Sequence, residues 1–115
     1  MMEVRRTHAA RADIERALAW WKRNREKAPG ALAEELDRAL TLIATSPLIG
    51  VRSSSAKSRV VRRLMLPRVR YCLYYRVVGS PRTYVEILAL WHASRRARFV
   101  REPAVPYSAL PARAA

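Results

Sequence analysis

The alternation of apolar and polar positions changes period several times along the chain, and each change marks an element. Met2 and Val4 alternate with Glu3 and Arg5, the period of a short strand that Thr7 or His8 ends. From about Ala9 the spacing becomes helical. Ala10, Ile14, Ala17, Leu18 and Trp21 share a stripe with Arg11, Glu15, Lys22 and Arg25 off it, which predicts a helix to about Lys27, where Pro29-Gly30 stops it. A second stripe through Leu32, Leu36, Leu40 and Ile43, opposed by Glu34, Glu35, Asp37 and Arg38, predicts another helix that ends near Thr45-Ser46-Pro47. With so short a connection the two should form an antiparallel hairpin, and neither can bury its stripe alone, so together they should cover a sheet.

The strands of that sheet are sought downstream. Residues 49–58 are polar and Ser-rich and read as a mobile loop. Residues 60–66, 69–78 and 83–90 are strand-like, with Pro67 between the first two and Gly79-Ser80-Pro81 turning the second pair. In the central run Val69, Tyr71, Leu73, Tyr75 and Val77 are expected to meet the helices, leaving Arg70, Cys72, Tyr74 and Arg76 more exposed. The fold class is therefore α+β: an N-terminal strand, then an antiparallel helical hairpin packed on a small, mainly antiparallel sheet. Its 115 residues suit one domain, taken as residues 1–102, and residues 103–115, rich in Pro and Ala, read as a loosely ordered tail.

Charge alters this picture. The net charge is +14, and Lys occurs only at 22, 27 and 57, so Arg, whose planar fork suits phosphate and carboxylate, supplies nearly all of it. Residues 1–49 hold nine bases against seven acids, whereas residues 50–115 hold fourteen against Glu86 and Glu102 alone. So one-sided a distribution points to an anionic partner: nucleic acid, an acidic protein or an acidic membrane surface. The single cysteine, Cys72, offers no internal disulfide and no metal-site spacing, and fits a reducing cytoplasm. No stretch approaches the ~18 apolar residues of a membrane span, and no apolar run follows the basic N-terminus. No cofactor or metal motif is present.

Three groups of residues resemble the RelE/ParE toxin superfamily, particularly its ParE-like branch. They are Ala12-Asp13-Ile14 opening helix one, Ser46-Pro47 followed by Gly50, and Tyr74-Tyr75-Arg76-Val77 joined to Glu86-Ile87-Leu88-Ala89-Leu90-Trp91-His92 with Arg95. The resemblance spans about Val4 to Arg98. It implies a growth-arresting toxin of a plasmid-stabilization type, encoded beside a cognate antitoxin. RelE-like members cut messenger RNA on the ribosome, while ParE-like members inhibit DNA gyrase with no evident catalytic centre.

The residues bear on that choice. Cleaving RNA through its own 2′-hydroxyl needs a base, an acid and cations around the crowded phosphate. RelE-like enzymes place these on the exposed sheet face, with an Arg on the central strand, and alignment on Tyr75-Arg76-Val77 puts Cys72 at that Arg position. Arg70 and Arg76 stand two and four residues away along the chain, so either is a displaced surrogate, and His92 is the one histidine placed for an acid or base. If the chain were a nuclease, Arg70, Arg76 and His92 would be its catalytic set. The structural role for His92 is a strand-end imidazole bonded to the neighbouring turn. Lys57 and Arg59 supply fewer cations upstream than a ribosomal nuclease would be expected to present.

The favoured expectation is a gyrase inhibitor with no catalytic residues, binding through Arg70, Tyr74, Arg76, His92, Arg95, Arg96 and Arg98. The alternatives are the ribosome-dependent endonuclease, with ribosome and mRNA as partners, and a plain nucleic-acid-binding protein. Arg95 could instead pair with Glu86. Trp21 fits the buried stripe and Trp20 borders it, and core packing is the expected role of both. The antitoxin would be an acidic, partly helical segment seated on the apolar rim of the hairpin and the basic sheet.

Overall fold

A computed structural model of the chain describes residues 1–56, 59–79 and 83–94. Strand β1 (Glu3–Arg6) leads into helix α1 (His8–Asn24), and helix α2 (Ala31–Thr45) follows a short connection. Strands β2 (Val51–Ala56), β3 (Arg59–Leu66), β4 (Tyr71–Val78) and β5 (Tyr84–His92) complete one five-stranded sheet in the order β1-β5-β4-β3-β2. All neighbours are antiparallel except β1, which lies parallel to β5. The α+β layout expected from the periodicity is the one observed.

Local chemistry sets the helix ends. The Thr7 hydroxyl accepts from the Ala10 N–H at 3.0 Å, satisfying one of the free donors at the start of α1, and His8 is an exposed first residue. At the other end Trp21 buries its ring and donates its indole N–H to the Ala28 carbonyl at 2.8 Å, tying the connection down onto α1. Ala10, Ile14, Ala17 and Trp21 of α1 and Leu32, Leu36, Ala39 and Ile43 of α2 are buried. They meet Leu66, Val69, Tyr71, Leu73, Tyr75, Val85, Ile87 and Leu90 from the sheet in the main core. Each helix rests on the sheet more than on the other helix: α1 lies chiefly along β5, and α2 touches β3 and β1.

Residues 51–56 differ from the expected loop. They form β2, an edge strand whose register against β3 is shifted between Arg52 and Ser54. A Ser-rich edge strand has no apolar alternation of its own, and pairing with β3 supplies the order that periodicity cannot forecast.

The larger correction concerns the sheet face turned away from the helices. Cys72 and Tyr74, expected to be exposed, have no accessible surface. They lie in a second cluster with Val61, Leu88, Ala89 and Trp91, against which Ala9 packs. Here β5 bulges: Tyr74 pairs with Ala89 but Tyr75 with Ile87, so Leu88 is an extra residue. The bulge keeps Val85, Ile87 and Leu90 in the main core while Leu88, Ala89 and Trp91 serve the second cluster. The unbroken apolar run Ile87–Trp91 is the pattern of a strand covered on both faces.

Candidate functional site

The two ends of β4 carry different chemistry. At one end, residues 67–70 turn the chain from β3 into β4, with the Leu66 carbonyl accepting from the Arg70 N–H at 2.8 Å. Arg70 takes a left-handed backbone, φ 61°, and its side chain is exposed. It therefore sits in the turn and not on the strand face where alternation had put it. Its carbonyl accepts from the Ala93 N–H at 2.8 Å, which fixes the chain leaving β5. His92, paired with Tyr71, stands edge-on to that ring with centroids 5.4 Å apart. The His92 Nδ1 accepts from the Ser94 N–H at 3.2 Å and lies 3.0 Å from the Ser94 hydroxyl, the local turn bonding anticipated for it.

At the far end Arg76 donates to Glu86 at 2.8 Å across β4 and β5, both side chains being largely buried. Glu86 is thus held by Arg76, the residue directly opposite it in the register. Five residues of strand, about 17 Å, separate Arg76 from Tyr71 and the His92 end. Arg70, Arg76 and His92 are consequently not brought together, and Cys72, the position of the family Arg, is buried between them. Tyr74 offers no ring face to a ligand in this conformation. Arg95, Arg96 and Arg98 lie outside the described residues, as do Lys57 and the boundary at residue 102. Among the described residues no group of His, Cys, Asp or Glu could hold a metal ion.

Sequence reasoning passed over a cleft of about 510 Å³ beside this end, formed by the outer flank of α1 and the end of β5. Asp13, Arg16, Trp20 and Arg23 line one wall, and Tyr71 and His92 lie on the other. Trp20 is 41% exposed, with the Arg25 guanidinium 5.2 Å from its ring centre, so its role is not core packing. The pair Trp20-Trp21 carried a signal: neighbours on a helix are about 100° apart, and one stripe cannot bury both. Asp13 is mostly buried and accepts from Arg16 at 2.6 Å and from the Leu90 N–H at 3.2 Å. Among the described residues β1 pairs with residues 84–87 and no strand flanks the outer edge of β5 beyond Ile87, where Asp13 caps one of its donors. The motif Ala12-Asp13-Ile14 therefore joins an edge cap to a core residue.

The second motif has an equally local basis. The Tyr75 hydroxyl donates to the Pro47 carbonyl at 2.8 Å and accepts from the Gly50 N–H at 2.8 Å. Arg62 adds a bond to the Gly50 carbonyl at 2.8 Å. A Cβ on residue 50 would lie 2.6 Å from the Tyr75 oxygen and 2.9 Å from the Arg63 carbonyl, so only glycine fits. Burial raises the Tyr75 phenol above the usual tyrosine value, against smaller opposing effects of the Gly50 N–H and Arg62. Tyr71 is raised by burial as well, with Arg25 opposing.

All three motifs thus serve one architecture. The family described as the ParE toxin of type II toxin-antitoxin system, parDE, matches residues 4–97. No curated protein matches the chain. The match takes in both helices and all of the sheet but its first residue, Glu3, and the chain belongs to the ParE toxin family of type II toxin-antitoxin systems.

Proposed function

We propose that this toxin arrests growth by binding DNA gyrase in the cytoplasm, without cutting RNA, and that a cognate antitoxin neutralises it. The observation that carries this reading is the separation of the groups a nuclease would need. Arg76 is committed to Glu86, Arg70 and His92 stand at the other end of the strand, and buried Cys72 occupies the position of the family Arg. Transition-state stabilisation of a phosphorane requires cations and proton donors aimed at one point to within about 1 Å. Gyrase as the target rests on the ParE-like resemblance. Arg70 and His92, with Arg95, Arg96 and Arg98, are the residues we assign to target contact.

The antitoxin is a partner that the family implies. The cleft between α1 and the end of β5 suits an acidic segment with an apolar anchor, because exposed Trp20 lies between Arg16 and Arg23. Among the described residues no helix is long and apolar enough to cross a membrane, which is compatible with a cytoplasmic site of action.

The experiment is a supercoiling assay with purified toxin and gyrase, run beside a transcript-cleavage assay on programmed ribosomes. Loss of supercoiling or accumulation of cleaved DNA, with transcripts intact, is expected. Codon-positioned cuts in the transcript with unimpaired gyrase would reverse the assignment.

A further inference from the structure

The loop that Tyr75 clasps leaves three aliphatic side chains in water. Leu48, Ile49 and Val51 are 51%, 46% and 60% exposed, on either side of buried Gly50. Their backbone is nevertheless held in place. The Pro47 carbonyl and the Gly50 N–H meet the Tyr75 hydroxyl, the Leu48 and Gly50 carbonyls accept from Arg62, and the Ile49 N–H donates to the Ser46 carbonyl. With those polar groups turned inward, residues 48–49 present mainly their side chains outward. An apolar group fixed in this way marks a contact surface, and because it is already ordered it loses little freedom when a partner covers it.

From Val51 onward the chain offers the complementary half. β2 pairs with β3 along one side, and among the described residues no strand pairs with the other, so its outer donors and acceptors form an open ladder. Edge strands are ordinarily blunted by charge, proline or a bulge. β2 has the register shift between Arg52 and Ser54 and a single charge, Arg52. The sign of that charge selects what can approach. Not one acid occurs between Asp37 and Glu86, a span that takes in β2, β3 and β4, and Arg63 and Arg62 stand opposite Val51 and Arg52 in the register. A second copy would bring the same cations to the edge, whereas an acidic chain is drawn to it.

Open backbone, fixed aliphatic side chains and an acid-free cationic surround together describe strand addition. We propose that the outer edge of β2 receives an acidic, extended segment of a partner protein as a further strand, with the aliphatic residues of that segment resting on Leu48, Ile49 and Val51. The six residues of β2 span about 20 Å, so the segment needs about six residues of its own, acids alternating with Val, Ile or Leu. β2 lies three strand spacings, about 14 Å, from β5, which separates this surface from the cleft beside α1 and lets both be occupied at once. Gyrase need not be the target for the edge to act in this way.

The probe is a capped peptide of about eight residues alternating Glu and Val, titrated into the full-length protein. Its binding should slow hydrogen exchange at amides of residues 51–56. Val51→Asp changes an exposed side chain, and it should weaken the peptide's affinity in calorimetry by about tenfold or more. A second measurement needs no variant. Two versions of the peptide, N-methylated at one or the other alternate set of residues, keep the same charge. A ladder bonded along one side requires that one version lose binding and the other keep it. Failure of the unmodified peptide to bind, equal affinity of the two methylated versions, or protection at Leu90 and His92 in place of β2 would overturn the proposal. So would a dimer of the protein alone whose β2 amides are already protected, since a second copy would then fill the edge.

Discussion

The Tyr75 hydroxyl sits 2.8 Å from both the Gly50 N–H and the Pro47 carbonyl, so one phenol from the central strand closes the loop that carries the chain from α2 to the edge strand β2. Both backbone groups are satisfied by a side chain 25 or more residues away. Ser46-Pro47 and Gly50 on one side and Tyr74-Tyr75-Arg76 on the other, separate in sequence, are two halves of one contact.

Removing that oxygen leaves a buried N–H and a carbonyl short of partners. Tyr75→Phe should lower unfolding free energy by about 1–3 kcal/mol in urea titration. Gly50→Ala should cost a similar amount through overpacking, of order 1–3 kcal/mol. Because the two changes disturb one contact, their combination should cost less than the sum.

Alkaline pH tests the same residue. An acid whose folded-state pKa is raised holds its proton more tightly when folded, so its contribution is complete below the ordinary value of about 10 and is lost as pH climbs through the folded value. Tyr75 and Tyr71 are both raised by burial. Thermal stability should fall above about pH 10, and less steeply in Tyr75→Phe. A melting temperature flat to pH 11 would contradict the burial of these phenols.

Asp13→Ala removes the cap on the outer edge of β5. Hydrogen exchange at the Leu90 amide should accelerate more than at amides in β3, and global stability should drop by about 1–3 kcal/mol.

Restoring the family arginine is not expected to create a nuclease. Cys72→Arg would put a guanidinium into a site with no accessible surface, costing several kcal/mol, about 3 or more, so a fall in melting temperature or in soluble yield is expected. A well-folded Cys72→Arg protein that cuts transcripts on ribosomes would refute both this burial argument and the separation of the basic groups.

Trp20 faces the cleft, so Trp20→Ala should change stability by less than about 1 kcal/mol. Affinity for the antitoxin, measured by calorimetry, should nevertheless weaken by about tenfold or more if the cleft holds its anchor.

How far the sequence could be read depended on where each residue finds its partners. The stripes Ala10-Ile14-Ala17-Trp21 and Leu32-Leu36-Ile43 were legible because helix amphipathicity repeats locally, and the inward set Tyr71-Leu73-Tyr75 was legible for the same reason. β2 was not, since Ser53-Ser54-Ser55 acquires order from β3. Tyr74 and Cys72 were misassigned because they alternate with inward residues between Arg70 and Arg76, and that pattern ordinarily means a solvated face. Alternation places Arg70 and Arg76 on that face with them. A left-handed turn removes Arg70 from the strand, and Glu86, ten residues away in sequence but opposite in register, takes Arg76. Neither relationship has a periodic trace.

The parallel pairing of β1 with β5 carries a consequence for synthesis. Glu3 finds its place beside Tyr84, so the first strand made waits for the last, and closing a loop of some eighty residues is among the slower events in folding. A ribosome that stalls before β5 emerges releases a chain with no seat for its N-terminus and no strand for Asp13 to cap. A toxin whose first strand is seated by its fifth gains its complete sheet late in synthesis.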